Sequence, residues 1–364
     1  MRIGLVEFLL ILAIASLTIG PQVALFVDRW MRRANRANAR AARRRAEYAA
    51  QMAVERDALL KRFRTASTVF GVCILLALVY ALVFALPGDP VKAMFGDKPV
   101  NEAVAAQIRA EYNLDKPFIV QYLLFLKNAL TLDFGKTFSG QLVIDVIGRA
   151  FPVTIKLALM AFVFEAVFGV IFGVISGLKK GKWCDTVILI FSLLLISVPT
   201  FVTGFLCQYF LGVKWHLLPV TAGANPGFLD LLMPAMVLGS VSMAYIIRLS
   251  RTEISSNIAL DYVRTARAKG MDNKSVMLRH VLRNSMIPVV TYLGQDLGAL
   301  MGGAMISETI FNVHGIGYLT YQSILKGEGN LVVSIVTLLM LIFVVCNLLV
   351  DMLYAALDPR IRYA

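Results

Sequence analysis

The sequence predicts an all-α polytopic membrane protein. Of its 364 residues, 58% are hydrophobic and only 16% are charged, whereas about a quarter of the residues of a soluble domain are charged. The mean hydropathy is +0.72. Apolar runs of about twenty residues, the length that a helix needs to cross a bilayer, recur along the chain. These candidate spans are residues 3–27, 66–86, 153–174, 187–211, 231–247, 287–310 and 331–350.

The distribution of basic residues predicts the orientation of the chain. There are 36 Lys and Arg against 23 Asp and Glu, which gives a net charge of +13. The basic residues concentrate in segments 29–64, 179–182 and 248–283, whereas segments 87–149 and 214–230 are balanced or sparse in charge. Because cytoplasmic loops carry the excess of Lys and Arg, the three basic segments are predicted to be cytoplasmic. The N-terminus is then outside and the C-terminus inside.

The first 65 residues divide into an apolar part and a basic part. Residues 1–28 are predicted to form an extra N-terminal transmembrane helix, because the apolar run continues past Ala13-Ile14-Ala15, which imitates a signal-peptide cleavage site. A cleaved signal peptide and a translation start at Met52 remain alternatives. Residues 29–65 are predicted to be a basic cytoplasmic helical linker that lies against anionic lipid headgroups. Its arginines recur every four residues without interleaved aromatics, so no nucleic-acid binding is expected; they are Arg32, Arg36, Arg40 and Arg44.

No segment has the pattern of a catalytic, nucleotide or metal site. Gly135-Lys136-Thr137 resembles the end of a phosphate-binding loop, but Leu130 stands where the first glycine of that loop is required. The histidines lie in separate loops and the cysteines are scattered, so neither set has metal-ligand spacing. They are His216, His280, His314, Cys73, Cys184, Cys207 and Cys346. We therefore expect a chain that is not an enzyme and holds no metal or cofactor of its own.

Glycines recur every four residues in two of the apolar runs. Small residues at this spacing let helix backbones approach closely in lipid, so the first row is interpreted as a helix-packing seam. The second row is flanked by Gln295, Asp296 and Ser307, which also favours a polar path. The first row is Gly169, Gly173 and Gly177, and the second is Gly294, Gly298 and Gly302.

Glu165, Asp296 and Asp351 are acidic residues within or at the edge of predicted spans. A charged side chain is costly in the hydrocarbon region, so these carboxylates are expected to face other helices or a wet cavity. Glu165 and Asp296 also keep open the hypothesis of an ion-coupled secondary transporter, in which either carboxylate is the relay.

The segment 261–283 is the most structured of the predicted cytoplasmic loops. Its Ala, Arg and Lys content predicts a helix from Tyr262 to Lys269, and Gly270 is a natural helix end. Asp272 or Asn273 is expected to cap a second helix that runs to Arg283. A helix-turn-helix of this kind under a membrane forms a rigid docking element for a partner protein.

This loop resembles the EAA motif of ABC-importer permeases. Arg264-Thr265-Ala266 stands where Glu-Ala-Ala is usual, Gly270 matches the motif glycine, and His280-Val281-Leu282-Arg283 lies where the Ile-x-Leu-Pro end would be. The departures at the Glu and the final Pro are similar to those of B-type permeases for dipeptides, oligopeptides and nickel, in the family of binding-protein-dependent transport inner-membrane components. Further matching stretches are Pro87-Gly88-Asp89-Pro90, Phe151-Pro152-Val153-Thr154, Ser307-Glu308-Thr309-Ile310-Phe311, Gly315-Ile316-Gly317 and Leu357-Asp358-Pro359-Arg360-Ile361-Arg362.

The resemblance, which runs from about Phe63 to the C-terminus, implies a fold and a function. The fold would be a type I ABC-importer permease bundle of about six core helices in residues 66–364, plus the extra N-terminal transmembrane helix, in the bacterial cytoplasmic membrane. Residues 87–150 would be extracytoplasmic and residues 250–285 would be the cytoplasmic coupling loop. The chain would form the path for di- or oligopeptides by alternating access, with nickel, glutathione and oligosaccharides as alternative substrates.

The resemblance also implies partners. They are a second, C-type permease, two ABC ATPase subunits that hold ATP and Mg, and an extracytoplasmic substrate-binding protein. The residues to which it assigns coupling with the ATPases are Arg264, Thr265, Ala266, Arg267, Ala268, Lys269, Gly270, His280, Leu282 and Arg283.

Overall fold

The computed structural model describes residues 71, 73–81, 102–111, 115–223 and 225–357. The predicted helix 1–28, the linker 29–65 and the stretch 87–90 lie outside the described residues. The described residues belong to two compact units. The first unit includes residues 71–81 and Glu102–Leu126, and the second continues from Lys127.

The first unit is held together by aromatic side chains. It contains helical residues 73–81, helix α1 (Glu102–Glu111) and the first part of helix α2 (Phe118–Leu130). The Tyr80 ring lies 5.2 to 5.8 Å from the rings of Phe118, Tyr122 and Phe125, and the Tyr122 hydroxyl donates a hydrogen bond of 2.7 Å to the Cys73 carbonyl oxygen. Phe118, Tyr122 and Phe125 recur at the i, i+4 and i+7 positions that form one face of a helix, so α2 is amphipathic.

The second unit is a bundle of helices, which confirms the predicted all-α class. The described ranges contain no strand, only two isolated bridges, Lys136 with Leu142 and Gly223 with Val313. The described part of the chain has two π-helical turns: Gln208–Lys214 continues the helix that ends at Cys207, and Met277–Leu282 joins the helices Asn273–Val276 and Arg283–Ile310. The helices are α3 (Val143–Leu178), α4 (Trp183–Ser197), α5 (Thr200–Cys207), α6 (Phe228–Ile258), α7 (Asp261–Ala268), α8 (Asn273–Val276), α9 (Arg283–Ile310), α10 (Ile316–Leu325) and α11 (Gly329–Leu357).

Three described helices are long and apolar enough to cross a membrane: Val143–Leu178, Phe228–Ile258 and the Gly329–Cys346 part of α11. They include the predicted spans 153–174 and 231–247 and most of the span 331–350, and α9 covers the predicted span 287–310. Helix α3 already begins within the segment expected to be extracytoplasmic, and α6 continues into the expected coupling loop. The apolar runs thus mark the helices but understate their length.

The predicted single span 187–211 is wrong as a continuous helix. Helices α4 and α5, with the π-helical turn after α5, form a pair bent by 106° at a short break. Pro199 causes this break, because proline has no N–H to donate and its ring disfavours helical backbone in the preceding residue. Accordingly, Val198 has extended backbone, with φ −90° and ψ 125°.

Helices α3 and α6 pack along the first glycine row. Each glycine faces the side chain of one α6 residue. These three residues, Ile246, Ser250 and Ile254, also recur every four positions. A Cβ atom on Gly173 would lie 2.5 Å from the Ser250 Cβ atom and 3.0 Å from the Ile247 carbonyl oxygen. The glycines therefore allow a backbone approach that any side chain would prevent.

This close approach predicts that the same substitution changes the free energy of unfolding differently in the two glycine rows. Gly173→Ala should lower the free energy of unfolding by roughly 1–3 kcal/mol, because the new methyl group overpacks the α3–α6 seam. Gly302→Ala should be neutral or stabilising by up to about 1 kcal/mol, because no atom lies within 4 Å of the new Cβ and alanine favours helix. Thermal unfolding of the purified chain in detergent measures both, and equal midpoints for the two variants would contradict the seam.

A common apolar core lies where α3, α6 and α9 meet. Its buried members include Leu157 and Ala161 of α3, Met233 of α6, Leu300 of α9, and Phe311 just after α9. This core, together with the seam, determines which faces of the three helices meet.

Candidate functional site

The predicted coupling loop folds as a small helical knob. We call it the basic knob: α7, the turn 269–272, α8 and the π-helical turn Met277–Leu282. Helix α7 ends where the sequence predicted, because Gly270 has a φ of +77°, a backbone conformation that favours glycine. The Asp272 carboxylate caps α8 by accepting a hydrogen bond of 3.2 Å from the Lys274 N–H. The predicted first helix, its glycine end and the cap of the second helix are therefore confirmed.

The predicted end of the second helix at Arg283 is wrong. The chain continues from α8 through the π-helical turn into α9, which runs to Ile310. No glycine or proline separates Gly270 from Pro288, so nothing in the local sequence interrupts the helix at Arg283. The basic knob is therefore continuous with α9.

The underside of the basic knob packs against the ends of the bundle helices. Val263 and Ala266 of α7 are buried in one apolar cluster with Ile254 of α6 and with Val276 and Val281. Val174 of α3 and the half-buried Leu282 pack against the same cluster. Helix α7 is thus packed directly against side chains of α3 and α6.

The other face of the basic knob is exposed and positively charged. Among the predicted coupling residues, Ala266 and Leu282 belong to the underside and His280 is half-buried, whereas the exposed ones are Arg264, Thr265, Arg267, Ala268, Lys269, Gly270 and Arg283. On this face Arg264 and Asp261 form an ion pair at 3.6 Å. Both side chains are largely exposed, so the pair contributes little to stability. A neighbouring groove of about 780 Å³ is lined by Leu278, Arg279, His280, Arg283 and Asn284.

A buried ion pair lies at the same end of the bundle, and the sequence reasoning missed it. The Arg251 guanidinium of α6 donates two hydrogen bonds to the Asp185 carboxylate of α4, at 2.6 and 2.8 Å. The same carboxylate accepts a hydrogen bond of 2.5 Å from the Ser176 hydroxyl of α3 and one of 2.8 Å from the Gly181 N–H. We call this group the Asp185 clamp. It joins three helices immediately before α6 leads into the basic knob.

A second buried polar network lies at the opposite end of the bundle. The Thr154 hydroxyl of α3 donates a hydrogen bond of 2.6 Å to the Glu308 carboxylate of α9, and accepts one of 2.7 Å from the Ile316 N–H. The other carboxylate oxygen accepts a hydrogen bond of 2.8 Å from the Tyr318 N–H. Glu308 therefore neutralises the N-terminus of α10, as a carboxylate at a helix start does.

This Glu308 network brings together three of the stretches on which the resemblance rests. Thr154, Glu308 and the Gly315-Ile316-Gly317 turn come from distant parts of the chain and meet at one point. A Cβ atom on Gly315 would overlap the Thr154 and Glu308 side chains, and one on Gly317 would overlap the Met305 backbone. The three stretches are thus parts of one structural unit.

The three predicted intramembrane acids are placed differently. Glu165 is fully buried, Asp296 is half-buried, and their carboxyl groups face each other between α3 and α9. The side chain of Asp351 lies outside the described residues. The second glycine row is only partly a packing seam: a Cβ atom on Gly298 would lie 3.0 Å from the Phe343 ring of α11, whereas Gly302 faces open space and Gly294 is half-buried.

Comparison with known proteins identifies the family. The model of the binding-protein-dependent transport system inner membrane component matches residues 169–363, and the model of the N-terminal part of that component matches residues 58–158. This chain belongs to that family. The permease is a non-catalytic membrane component of an ABC transporter, whose ATPase is a separate subunit and which works with a binding protein.

Individual relatives agree with the family. The dipeptide transport system permease protein DppB of Escherichia coli is 32% identical over 317 residues, which cover 79% of this chain and 93% of DppB. A putative peptide transport system permease protein of Brucella abortus is 37% identical over 309 residues, which cover 82% of this chain and 98% of that protein. A chain of the MetNI methionine ABC transporter structure matches 59% of this permease, with 14% identity and a TM-score of 0.48.

The Asp185 clamp and the individual contacts of the Glu308 network escaped the sequence reasoning for different reasons. Asp185 is a lone acidic residue at the start of an apolar run, and Arg251 looked like one more basic residue of a cytoplasmic loop. Thr154 and Glu308 lie in stretches that the resemblance had already marked, but nothing local shows that they touch. An acidic residue at the edge of a span was the available signal, because such a group needs a partner.

Proposed function

We propose that this permease forms the translocation path of an ATP-driven peptide importer and works by alternating access. The observation that carries the proposal is the basic knob: an exposed cationic face whose apolar underside packs against α3 and α6 and whose chain continues into α9. Such an element can receive a movement from a partner and transmit it to the helices of a path. The names of the relatives favour peptides as the substrate; nickel, glutathione and oligosaccharides are the alternatives.

The proposed assembly contains this chain, a homologous C-type permease, two ABC ATPase subunits and an extracytoplasmic binding protein. ATP and Mg would be held by the ATPase subunits, and the basic knob would contact them. Coupling through the knob is reciprocal in binding free energy, so delivery of substrate on the outer side should change the affinity for nucleotide on the inner side. Because this chain belongs to a family of ABC-transporter permeases, the alternative hypothesis of an ion-coupled secondary transporter has little support.

The proposed orientation in the bacterial cytoplasmic membrane places the basic knob inside, the N-terminus outside and the C-terminus inside. It is supported by the clustering of positive charge at one end of the bundle. Lys180, in the turn after α3, donates a hydrogen bond of 3.2 Å to the Ser255 hydroxyl at the end of α6, next to the basic knob. Two of the three basic segments therefore lie together, as the positive-inside rule requires.

Purification of the chain from its own membrane in mild detergent tests the assembly. We expect a second permease and ATPase subunits to co-purify, and the reconstituted complex to accumulate radiolabelled alanyl-alanine when ATP and the binding protein are supplied. Charge reversal of the exposed Arg264 and Arg267 should release the ATPase subunits. A chain that purifies alone, or uptake driven by an ion gradient without ATP, would contradict the proposal.

Gly270 provides a sharper test of coupling. Gly270→Val should reduce ATP-dependent peptide uptake by about tenfold, because a β-branched residue in the left-handed region costs at least about 1–2 kcal/mol and distorts the turn between α7 and α8. Gly270→Asn should retain most of the activity, because asparagine tolerates this conformation. Uptake and ATP hydrolysis are measured on the same proteoliposomes. Equal, undiminished uptake in both variants would contradict a coupling role for this turn.

A further inference from the structure

Two carboxyl groups face each other in the interior of the bundle. Glu165 lies within α3 and Asp296 at the middle of α9, and their carboxyl groups are close enough to interact. Both oxygens of Glu165 and the Oδ2 atom of Asp296 are buried and accept no hydrogen bond from the protein. No group among the described residues therefore donates a hydrogen bond that would stabilise a negative charge on these three oxygens.

The cations of the described part of the chain do not compensate the pair either. Arg251 pairs with Asp185 and Arg264 pairs with Asp261, and neither ion pair includes Glu165 or Asp296. Two carboxylates within a membrane bundle are strongly unfavourable unless a cation or a proton is added. A positively charged ligand would therefore compensate the negative charge of the pair.

The side chains around Asp296 suit an organic cation. The Tyr292 ring lies 6.5 Å from the Tyr245 ring, and Tyr292 is four residues, about one helical turn, before Asp296 on α9. Aromatic faces attract ammonium groups, and tyrosine hydroxyls can accept the remaining N–H groups. Carboxylate, aromatic rings and hydroxyls together form the usual environment of a bound ammonium ion.

The site is accessible from one side. Asp296 is half-buried and Tyr245 is 47% exposed. The α9 residues next to Asp296 on the open face are Gln295, Ala299 and Gly302, which are exposed. Two of them are small, so a ligand can approach the helix closely. Glu165 lies behind Asp296 and does not reach this face.

We propose that Asp296, with Tyr245 and Tyr292, binds the primary ammonium group of a peptide as it passes through the path, and that Glu165 is the positioning residue behind it. This inference rests on the proposed function, because it assumes that peptides use this path. A free peptide carries an ammonium group at its N-terminus, so the site would recognise a feature that all such substrates share. Side-chain selectivity would then lie elsewhere.

Uptake of alanyl-alanine by the complete importer in proteoliposomes, at saturating binding protein, tests the site. We expect about a tenfold loss for Asp296→Asn and a smaller loss for Glu165→Gln. Asp296→Glu, which keeps the charge, should restore uptake at least in part. The matched control is Asp145→Asn, the same change at an exposed position near the start of α3. Co-purification of each variant with the second permease and the ATPase subunits shows that it is folded and assembled.

Ligand contact is measured separately, because the binding protein also selects peptides. Saturation-transfer NMR of the importer in nanodiscs, without the binding protein, compares alanyl-alanine with N-acetyl-alanyl-alanine. The unmodified importer should prefer the free amine, and Asp296→Asn should abolish the preference. No preference in the unmodified importer, a preference that survives Asp296→Asn, or normal uptake in that variant would each overturn the site. Failure of the unmodified importer to take up any peptide would instead contradict the proposed function.

Discussion

Glu308→Gln is expected to destabilise the permease by roughly 2–5 kcal/mol, although the two side chains have nearly the same shape. The carboxylate accepts hydrogen bonds from the Thr154 hydroxyl on one oxygen and from the Tyr318 N–H on the other. An amide has one acceptor oxygen and one donor NH₂. At least one buried donor would therefore lose its acceptor, at a cost of about 1–3 kcal/mol each, and the N-terminus of α10 would lose its negative charge.

Thermal unfolding in detergent measures this loss, and two further variants identify its cause. Glu102→Gln, the same change at an exposed position of α1, should leave the unfolding midpoint unchanged. Thr154→Val should reproduce part of the loss, because the Ile316 N–H then has no acceptor. A Glu308→Gln variant as stable as the unmodified protein would show that the carboxylate does not connect α3, α9 and α10.

Asp185→Ala is expected to lower the free energy of unfolding by about 3–5 kcal/mol, the usual cost of breaking a buried ion pair by removing one partner. The Asp185 side chain is 3% exposed and the Arg251 side chain 21% exposed, so water compensates the orphaned guanidinium poorly. The Ser176 hydroxyl and the Gly181 N–H would lose the same acceptor. The turn between α3 and α4 would then detach from α6.

The double variant Asp185→Leu/Arg251→Met distinguishes the cost of leaving a buried charge unpaired from the cost of lost packing. Because apolar residues of similar volume often replace a buried ion pair without loss, the double variant should regain most of the stability that Asp185→Ala loses. Arg248→Ala, at an exposed position one turn earlier on α6, is the control and should change little. An unfolding midpoint for Asp185→Ala equal to that of Arg248→Ala would contradict the clamp.

The amphipathic and apolar patterns of the sequence were sufficient for most helices. The apolar runs located α3, α6, α9 and α11, and the composition of 261–270 located α7 and its glycine end. Both are local properties, since a helix forms when neighbouring residues favour it and a span requires only length and hydropathy. The break at Pro199 was visible in the sequence but was outweighed by the apolar run around it.

Which buried side chains meet depends on how the helices pack. Asp185 and Arg251 are 66 residues apart in sequence and Thr154 and Glu308 are 154 residues apart, and no local pattern pairs them. Their contact depends on how each helix is rotated about its axis. That rotation is set by close packing, above all by the glycine row of α3 against Ile246, Ser250 and Ile254. Local sequence patterns therefore predict the membrane class, most of the helices and the basic knob. The buried polar networks form only in the packed bundle, because packing depends on residues that are distant in the sequence.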